Sequence, residues 1–190
     1  HYTIREYIRN FIMSTLETNL IQPSTGTTLT VGASGDTVTA PSGVTVAGAM
    51  ANTPAFLAYQ SSAQSIANNT VTTVNLQTEL FDTNNAFASN TFTVPSGEDG
   101  KYLLYIGVRK DNFNTETRFQ GVLQLNGASN LLVCESGAFS SYGSVNGTIT
   151  ANLSAGNTIQ LLTYHNSGST EVLTAGLGST YFGAQKLIGV

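Results

Sequence analysis

Charged residues are scarce in this sequence. Asp, Glu, Lys and Arg make up 9% of the 190 residues, against about 25% in an average globular domain. Only seven residues are Lys or Arg, the formal net charge is −4 and the isoelectric point is near 4.9. Because binding to phosphates needs clustered basic side chains, we expect no nucleic acid partner. The surface must be polar and largely uncharged.

Cysteine and long apolar runs are also rare. The single cysteine, Cys134, cannot form an intrachain disulfide, so stability has to come from packing and assembly. It follows the apolar run Leu131-Leu132-Val133 and is expected in the core. No stretch reaches the roughly 20 apolar residues of a membrane span, and a signal-peptide pattern is missing. We therefore expect a soluble, unexported protein without membrane contact, whose residues 1–12 extend upstream of a start at Met13.

Residue types that support catalysis are few. The sequence holds two histidines, His1 and His165, so a Ser-His-Asp triad would depend on His165. Neither the nucleophile motif G-x-S-x-G nor the zinc motif H-E-x-x-H is present. A glycan hydrolase needs two carboxylates about 5 to 10 Å apart, and the acidic residues are too dispersed in sequence to nominate a pair. We expect no enzyme activity, no catalytic residue, no cofactor and no metal ligand.

The chain divides into three segments of different composition. In residues 1–21, Ile4, Ile8 and Ile12 recur every four residues, which predicts a short amphipathic helix that serves as an anchor. A helix of about four turns is not stable alone in water. It therefore needs a partner or a docking surface.

Residues 22–53 are rich in Thr, Ser, Gly and Val. Their aliphatic residues alternate with Thr or Ala between glycines, which predicts very short strands. Such a thin segment has no interior of its own, so we predict a β-rich trimeric stalk in which sister copies cover these side chains. A flexible linker is the alternative interpretation. The predicted stalk contacts are Leu29, Val31, Val38, Val44 and Val46.

Residues 54–190, called the head domain below, show short alternating segments separated by turn signals. The clearest segment places Tyr102, Leu104, Ile106 and Val108 on one face of a strand. The pair Asn126-Gly127 predicts a tight hairpin. About nine strands and almost no helix predict an all-β fold of the two-sheet jelly-roll type. The predicted strands are 56–60, 70–77, 90–94, 100–109, 117–126, 130–136, 143–153, 158–165 and 179–188.

Short motifs in the head domain occur in an order that resembles the C1q/TNF-like globular domain. That resemblance implies a β-jelly roll that assembles as a compact homotrimer through aromatic and aliphatic faces. This sequence departs from the family pattern at Asn157, where Asp is usual, and in a longer turn before Gly100. No metal or receptor contact of the family is therefore carried over to it. The motifs are Pro54-Ala-Phe-Leu-Ala58, Phe81-Asp-Thr-Asn-Asn85, Phe92-Thr-Val-Pro95, Gly100-Lys-Tyr102, Leu125-Asn-Gly127, Leu153-Ser-Ala-Gly-Asn-Thr-Ile159 and Ser179-Thr-Tyr-Phe-Gly183 with Leu187.

A second resemblance concerns residues 13–38, which begin Met13-Ser-Thr-Leu-Glu-Thr-Asn-Leu-Ile21. This segment looks like the start of small virion proteins of tailed bacteriophages. It stands in place of a collagen stalk, since the Gly-X-Y repeat is missing. The resemblance implies a location in the virion and contacts between the N-terminus and other virion proteins.

The head domain offers weak candidates for ligand contact. Tyr164, His165 and Asn166 stand at the end of a predicted strand and could form a ligand surface, although ordinary strand-end packing is the simpler interpretation. Asp82, Asn84 and Asn85 offer oxygen atoms to calcium, but their spacing matches no dedicated loop and a solvated turn is favoured.

These patterns predict a virion structural protein rather than an enzyme. We expect a trimeric tail fibre or receptor-binding appendage that contacts the host surface, with a host surface glycan as a possible partner. A head fibre or capsid decoration protein is the first alternative. A secreted C1q-like recognition module is the second, although it predicts a signal peptide and collagen or coiled-coil repeats.

Overall fold

The computed structural model describes residues 53–111, 118–137 and 143–187, together with residues 21, 25–26, 30–39, 42 and 44 of the amino-terminal part. The chain separates into two compact units, His1–Thr45 and Val46–Val190. The predicted helix of residues 1–21 lies outside the described residues except for Ile21. Leu29 and Val46 of the predicted stalk also lie outside them.

Three of the five predicted stalk residues are described, and all three are exposed. Val31, Val38 and Val44 have 64%, 72% and 57% of their surface accessible. The segment 30–39 contains a turn in which the Asp36 carboxylate accepts a hydrogen bond from the Ala33 amide, and it contains no strand. These valines are therefore uncovered within one chain, and the trimeric stalk stays a prediction.

The described part of the head domain forms thirteen strands, all antiparallel to their neighbours. They are β1 (Ala55–Tyr59), β2 (Gln64–Ile66), β3 (Thr72–Thr73), β4 (Thr78–Asp82), β5 (Phe87–Ala88), β6 (Thr91–Thr93), β7 (Gly100–Lys110), β8 (Phe119–Leu125), β9 (Ser129–Ser136), β10 (Gly143–Leu153), β11 (Thr158–His165), β12 (Glu171–Leu173) and β13 (Tyr181–Lys186). No membrane-spanning helix is found in the part of the chain that the structure describes.

Two sheets share these strands. Sheet A has the order β2-β12-β7-β13-β1-β4, with β10 also paired to β7. Sheet B has the order β5-β6-β11-β8-β9, with β3 also paired to β11. The predicted all-β, two-sheet architecture is confirmed.

Alternation along β7 explains how sheet A faces the core. Tyr102, Leu104, Ile106 and Val108 are all buried, as the period-2 pattern predicts. The same pattern on β10 buries Val145 and Leu153, while the residues between them alternate toward solvent.

Aromatic rings join the two sheets at the centre of the core. Phe56 of sheet A stacks on Phe87 and Phe92 of sheet B, with ring centroids 4.8 Å and 4.9 Å away. The ring of Phe182 meets Phe56 edge-on at 4.9 Å. Because such pairs add roughly 0.5–1.5 kcal/mol each beyond the burial of their area, this cluster is a main source of cohesion between the sheets.

Turn chemistry sets the connection between β8 and β9. Asn126 and Gly127 both have positive φ, 52° and 66°, and the Ala128 amide bonds to the carbonyl of Leu125. The hairpin predicted from the Asn-Gly pair is confirmed.

The prediction of a strand over residues 70–77 is largely wrong, because only Thr72–Thr73 pair in a sheet. Side-chain amides take over the backbone donors of the following residues: Gln64 accepts from the amide of Asn75, and Asn90 accepts from the amide of Leu76. A segment tied to side chains in this way cannot continue a ladder.

Four strands were missed by the sequence patterns, namely β2, β4, β5 and β12. Three of them have only two or three residues. The strand β4 contains two adjacent apolar residues, Leu80 and Phe81, and its pairing with β1 shifts register between Leu57 and Ala58. Such a bulge breaks the alternation that sequence patterns detect.

The single cysteine lies at the margin of the core. Cys134 is half-buried on β9 and packs against the core cluster, close to Gly147 of β10. Burial raises the pKa of its thiol. The predicted packing role is confirmed, with only partial burial.

Candidate assembly face and distal cavity

The outer face of sheet A, which points away from sheet B, carries a row of apolar side chains. Phe81 of β4 lies opposite Leu57 of β1, Leu57 lies opposite Gly183 of β13, and Gly183 lies opposite Tyr105 of β7. Residues paired in this way present their side chains on the same face. We call Leu57, Phe81, Tyr105, Leu177 and Tyr181 the aromatic face.

Two glycines allow the tyrosines of this face to lie flat on the sheet. A Cβ atom added to Gly183 would overlap the ring of Tyr105, and one added to Gly107 would overlap the ring of Tyr181. The two rings are 6.5 Å apart at an angle of 51°. Each tyrosine ring therefore fills the space that a side chain at the glycine beneath it would occupy.

The aromatic face is only partly covered within one chain. Phe81 and Leu177 keep 42% and 41% of their surface accessible. Leu57, Tyr105, Leu177 and Tyr181 line a shallow, mostly apolar depression of about 220 Å³. Burial, with a smaller contribution from Tyr181, raises the pKa of Tyr105 above its ordinary value of 10.0. The neutral phenol is therefore the favoured form on this face.

Charges on the outer side of β7 stand near the ends of the strand and not at its middle. On the outer side of β7, Lys101 and Arg109 lie near the two ends of the strand, and Leu103, Tyr105 and Gly107 lie between them. The neighbouring strand β10 presents polar, uncharged residues to the same side. The centre of the outer face is thus aromatic and uncharged.

The head domain has two distinguishable ends. The chain enters it next to Pro54, whose carbonyl accepts from the amide of Lys186, and we call this the proximal end. The strand β7 runs from there over eleven residues, a length of roughly 30 Å. It finishes at Lys110, at what we call the distal end.

The predicted ligand residues Tyr164, His165 and Asn166 lie at the distal end, where β11 finishes. His165 is fully buried and so does not lie on a surface. Its Nε2 donates to the carbonyl of Ile66 at 3.1 Å, and its Nδ1 lies 3.0 Å from the hydroxyl of Ser167. Because Ile66 belongs to sheet A and His165 to sheet B, the imidazole ties the two sheets together.

The other two predicted ligand residues remain partly exposed. The hydroxyl of Tyr164 donates to Asn69, and its ring lies 5.7 Å from the guanidinium of Arg118. The side chain of Asn166 accepts from the Arg118 amide. Arg118 also binds Glu135, which lowers the pKa of that carboxyl. A ligand surface at Tyr164 and Asn166 stays a prediction.

A buried ion pair supports the same end of the domain. Lys110 is fully buried and its Nζ lies 3.6 Å from Oε2 of Glu171, which is 4% exposed. Oε1 of Glu171 accepts from the hydroxyl of Ser169. A buried charge needs a partner of this kind, so the pair fixes the start of β12 against the end of β7.

A cavity of about 360 Å³ opens at the distal end beside this ion pair. It is lined by Ala63, Asp111 and residues 170–175. Sequence reasoning missed it, because its lining comes from three separate segments. The only signal was Thr170 at the end of the loop that follows the predicted ligand residues.

The turn that begins at Asp82, which the sequence offered as a calcium ligand, is held together by the Asp82 carboxylate itself. Asp82 accepts hydrogen bonds from the backbone amides of Asn84, Ala86 and Phe87. These contacts fit the favoured interpretation of a turn. Within the described ranges, no group of three or more His, Cys, Asp or Glu residues is placed to hold a metal ion.

Solved structures share this arrangement of strands. Murine APRIL at pH 8.0 superposes with a TM-score of 0.54 and 20% identity, over 70% of this chain and 98% of its own. The globular domain of zebrafish complement 1qA protein gives 0.54 and 15%, over 73% and 98%. Eiger TNF from S. frugiperda gives 0.54 and 14%, over 74% and 96%.

No family model and no curated relative matches the sequence. At these identities the structural likeness defines the fold alone. The head domain therefore has the C1q/TNF-like jelly-roll fold, as the motif order implied.

The packing of the Tyr105 ring on Gly183 can be tested directly by mutation. We expect Gly183→Ala to lower the free energy of unfolding by about 1–3 kcal/mol, because the added methyl group displaces the Tyr105 ring. The control is Gly178→Ala, since nothing lies within 4 Å of a Cβ there, and it should change stability by less than about 0.5 kcal/mol. Chemical denaturation at one fixed chain concentration measures both. Equal stability of the two variants would contradict the seating of Tyr105 on Gly183.

Proposed function

We propose that the chain is a homotrimeric, non-enzymatic structural protein whose head domains pack through the aromatic face. The observation that carries the proposal is the partly exposed, uncharged set of Tyr105, Tyr181, Leu57 and Leu177 on the outer side of sheet A. A sandwich buries only one face of each sheet. An aromatic second face is typical of a surface that another molecule covers.

Sister copies are the occupants that best fit this face. The C1q/TNF-like fold supports the compact homotrimer that the sequence resemblance implies. A cyclic trimer uses two different patches on each copy. The aromatic face is one, and the other is the side of the neighbour that docks on it. Sugar rings that stack on the tyrosines are the competing occupants.

Within this proposal the trimer is a virion appendage. The support is the resemblance of residues 13–38 to the start of phage virion proteins and the exposure of Val31, Val38 and Val44, which a trimeric stalk would cover. Residues 1–53 would anchor and trimerise, with other virion proteins at the N-terminus, and the distal end of the head would contact a host surface glycan. A tail fibre or receptor-binding tip is favoured over a head fibre or capsid decoration.

Paired substitutions test the assembly face. Leu177 on the aromatic face and Val133 on β9 of sheet B have similar exposure, 41% and 47%. Leu177→Glu should convert the trimer into monomers, because an unpaired carboxylate in an interface costs several kcal/mol per copy. Val133→Glu should remain trimeric. Light scattering coupled to size-exclusion chromatography gives the masses. A wild-type monomer, or dissociation by Val133→Glu alone, would reject the assignment.

The virion location is tested by labelling. An antibody against the head domain should mark purified virus particles at the tail, seen by electron microscopy with gold-labelled secondary antibody. Label over the capsid would favour the head-fibre alternative. Unlabelled particles, with the chain free in the medium, would contradict the virion proposal and favour the secreted recognition module.

A further inference from the structure

The outer face of sheet B, which points away from the core, carries uncharged polar side chains. On β8 the residues Phe119 and Leu123 belong to the core cluster. Gln120, Val122 and Gln124 alternate with them and so point to the opposite side of the sheet. The residues of β9 and β11 that pair with these three share that side.

Four polar residues stand side by side across this face. Thr91 of β6 lies opposite Gln160 of β11. Gln160 in turn lies opposite Gln124 of β8, which lies opposite Asn130 of β9. Because neighbouring strands are about 4.8 Å apart, the four residues span a line of about 14 Å. We call Thr91, Gln160, Gln124 and Asn130 the amide row.

The amide row keeps hydrogen-bonding groups available to a ligand. Gln160 and Gln124 are partly exposed, and Asn130 is exposed. The Nε2 of Gln160 donates to the hydroxyl of Thr91, which leaves the Oε1 of Gln160 as an acceptor. In the part of the chain that the structure describes, the side chains of Gln124 and Asn130 make no hydrogen bond. Since an amide side chain both donates and accepts, the row offers both kinds of group to solvent.

A row of aliphatic side chains lies beside the amide row, formed by Leu162, Val122 and Val133. Leu162 and Val122 are 8% and 9% exposed although they lie outside the core cluster. Other side chains of the same outer face therefore cover them, while Val133 stays exposed. A ligand on this face meets mainly amide groups, with Val133 as an aliphatic contact.

Formal charge is confined to the distal end of this face. Glu135 lies opposite Gln120, and one of its oxygens binds Nε of Arg118 at 2.8 Å. The amide row and the aliphatic row contain no charged residue. The middle of the face therefore offers no cation to a carboxylate or sulfate group, and an uncharged ligand suits it better.

We infer that the amide row binds an extended, uncharged polysaccharide chain. Sugar hydroxyl groups both donate and accept, as the amides of the row do. A protein partner fits less well, because the core of a protein interface is apolar and aromatic. Small ligands need concave pockets that bury most of their surface, whereas this row lies on the face of a sheet. A polymer gains affinity there because several side chains contact it at once.

This inference rests on the trimer and the host contact proposed above, and it names the ligand class of that contact. The aromatic face and the amide row lie on opposite sides of the core. A neighbour seated on the aromatic face therefore leaves the amide row of the same chain open. Three rows in one trimer would hold a single polymer with much higher avidity than one row. The contact lies on the side of the head domain and adds to the one proposed at its distal end.

Affinity electrophoresis of the full chain in native gels tests the inference. The gels contain hydroxyethylcellulose or galactomannan, which are uncharged, or carboxymethylcellulose, which has the same backbone as hydroxyethylcellulose with added carboxylates. We expect at least one of the two uncharged polymers to slow the protein, relative to a gel without polymer. Carboxymethylcellulose should not slow it, because the middle of the face has no cation to pair with a carboxylate.

Matched variants make the test specific. The double variant Gln124→Leu and Asn130→Ala removes two side-chain amides of the row, so it should weaken binding at least tenfold. Both side chains lack hydrogen bonds in the described ranges, and its mass and stability should stay close to those of the wild type. Asn152→Ala, at an exposed position of β10 in sheet A, is the control and should bind as the wild type does. None of these substitutions changes the charge, so all three proteins should run alike without polymer.

Three results would overturn the inference: free migration of the wild type in both uncharged polymers, slowing by carboxymethylcellulose alone, or equal slowing of the double variant and the wild type. Each of them leaves the trimer mass and the particle labelling untouched. The proposed function fails separately, through a monomeric mass or unlabelled particles.

Discussion

Sheet A has an apolar inner face and carries a patch of aromatic and aliphatic side chains on its outer face, and the rest of the structure depends on this constraint. Its inner face supplies Phe56 and Phe182 to the aromatic cluster shared with sheet B. On its outer face, the rings of Tyr105 and Tyr181 pack on Gly183 and Gly107. Two sheets can cover only one face of each other. A single chain therefore fully covers only the inner face of sheet A.

The ion pairs of the head domain lie away from the aromatic face. The ion pairs Arg109–Asp111, Lys110–Glu171 and Arg118–Glu135 lie at the distal end. The pair Lys186–Glu98 lies at the proximal end. Desolvating a charge is expensive. A face that keeps its charges at the periphery is suited to burial between copies of the chain.

The long strands of the fold could be predicted from sequence, and most of the strands of two or three residues could not. The strands β7, β10 and β11 have eight or more residues, and their inward positions are mostly apolar. The strands β2 and β12 have three residues each, too few for a period to emerge. Residues 70–77 have strand composition, but side-chain amides compete for their backbone donors.

Sequence patterns could place the candidate ligand residues at the end of a strand, but not give their burial or contacts. The burial of His165, at the end of β11, depends on its reaching Ile66 in the other sheet. The pairing of Tyr105 with Gly183 likewise depends on the register of β13 against β7, which no local pattern encodes. The Lys110–Glu171 pair joins residues 61 positions apart in sequence and is invisible for the same reason.

The most direct test of the central claim is an electron cryomicroscopy structure of the purified full chain. The account predicts three copies around an axis, with Tyr105 and Tyr181 of each copy buried against a neighbour. A map that shows the outer face of sheet A open to solvent, in whatever oligomer forms, would contradict it.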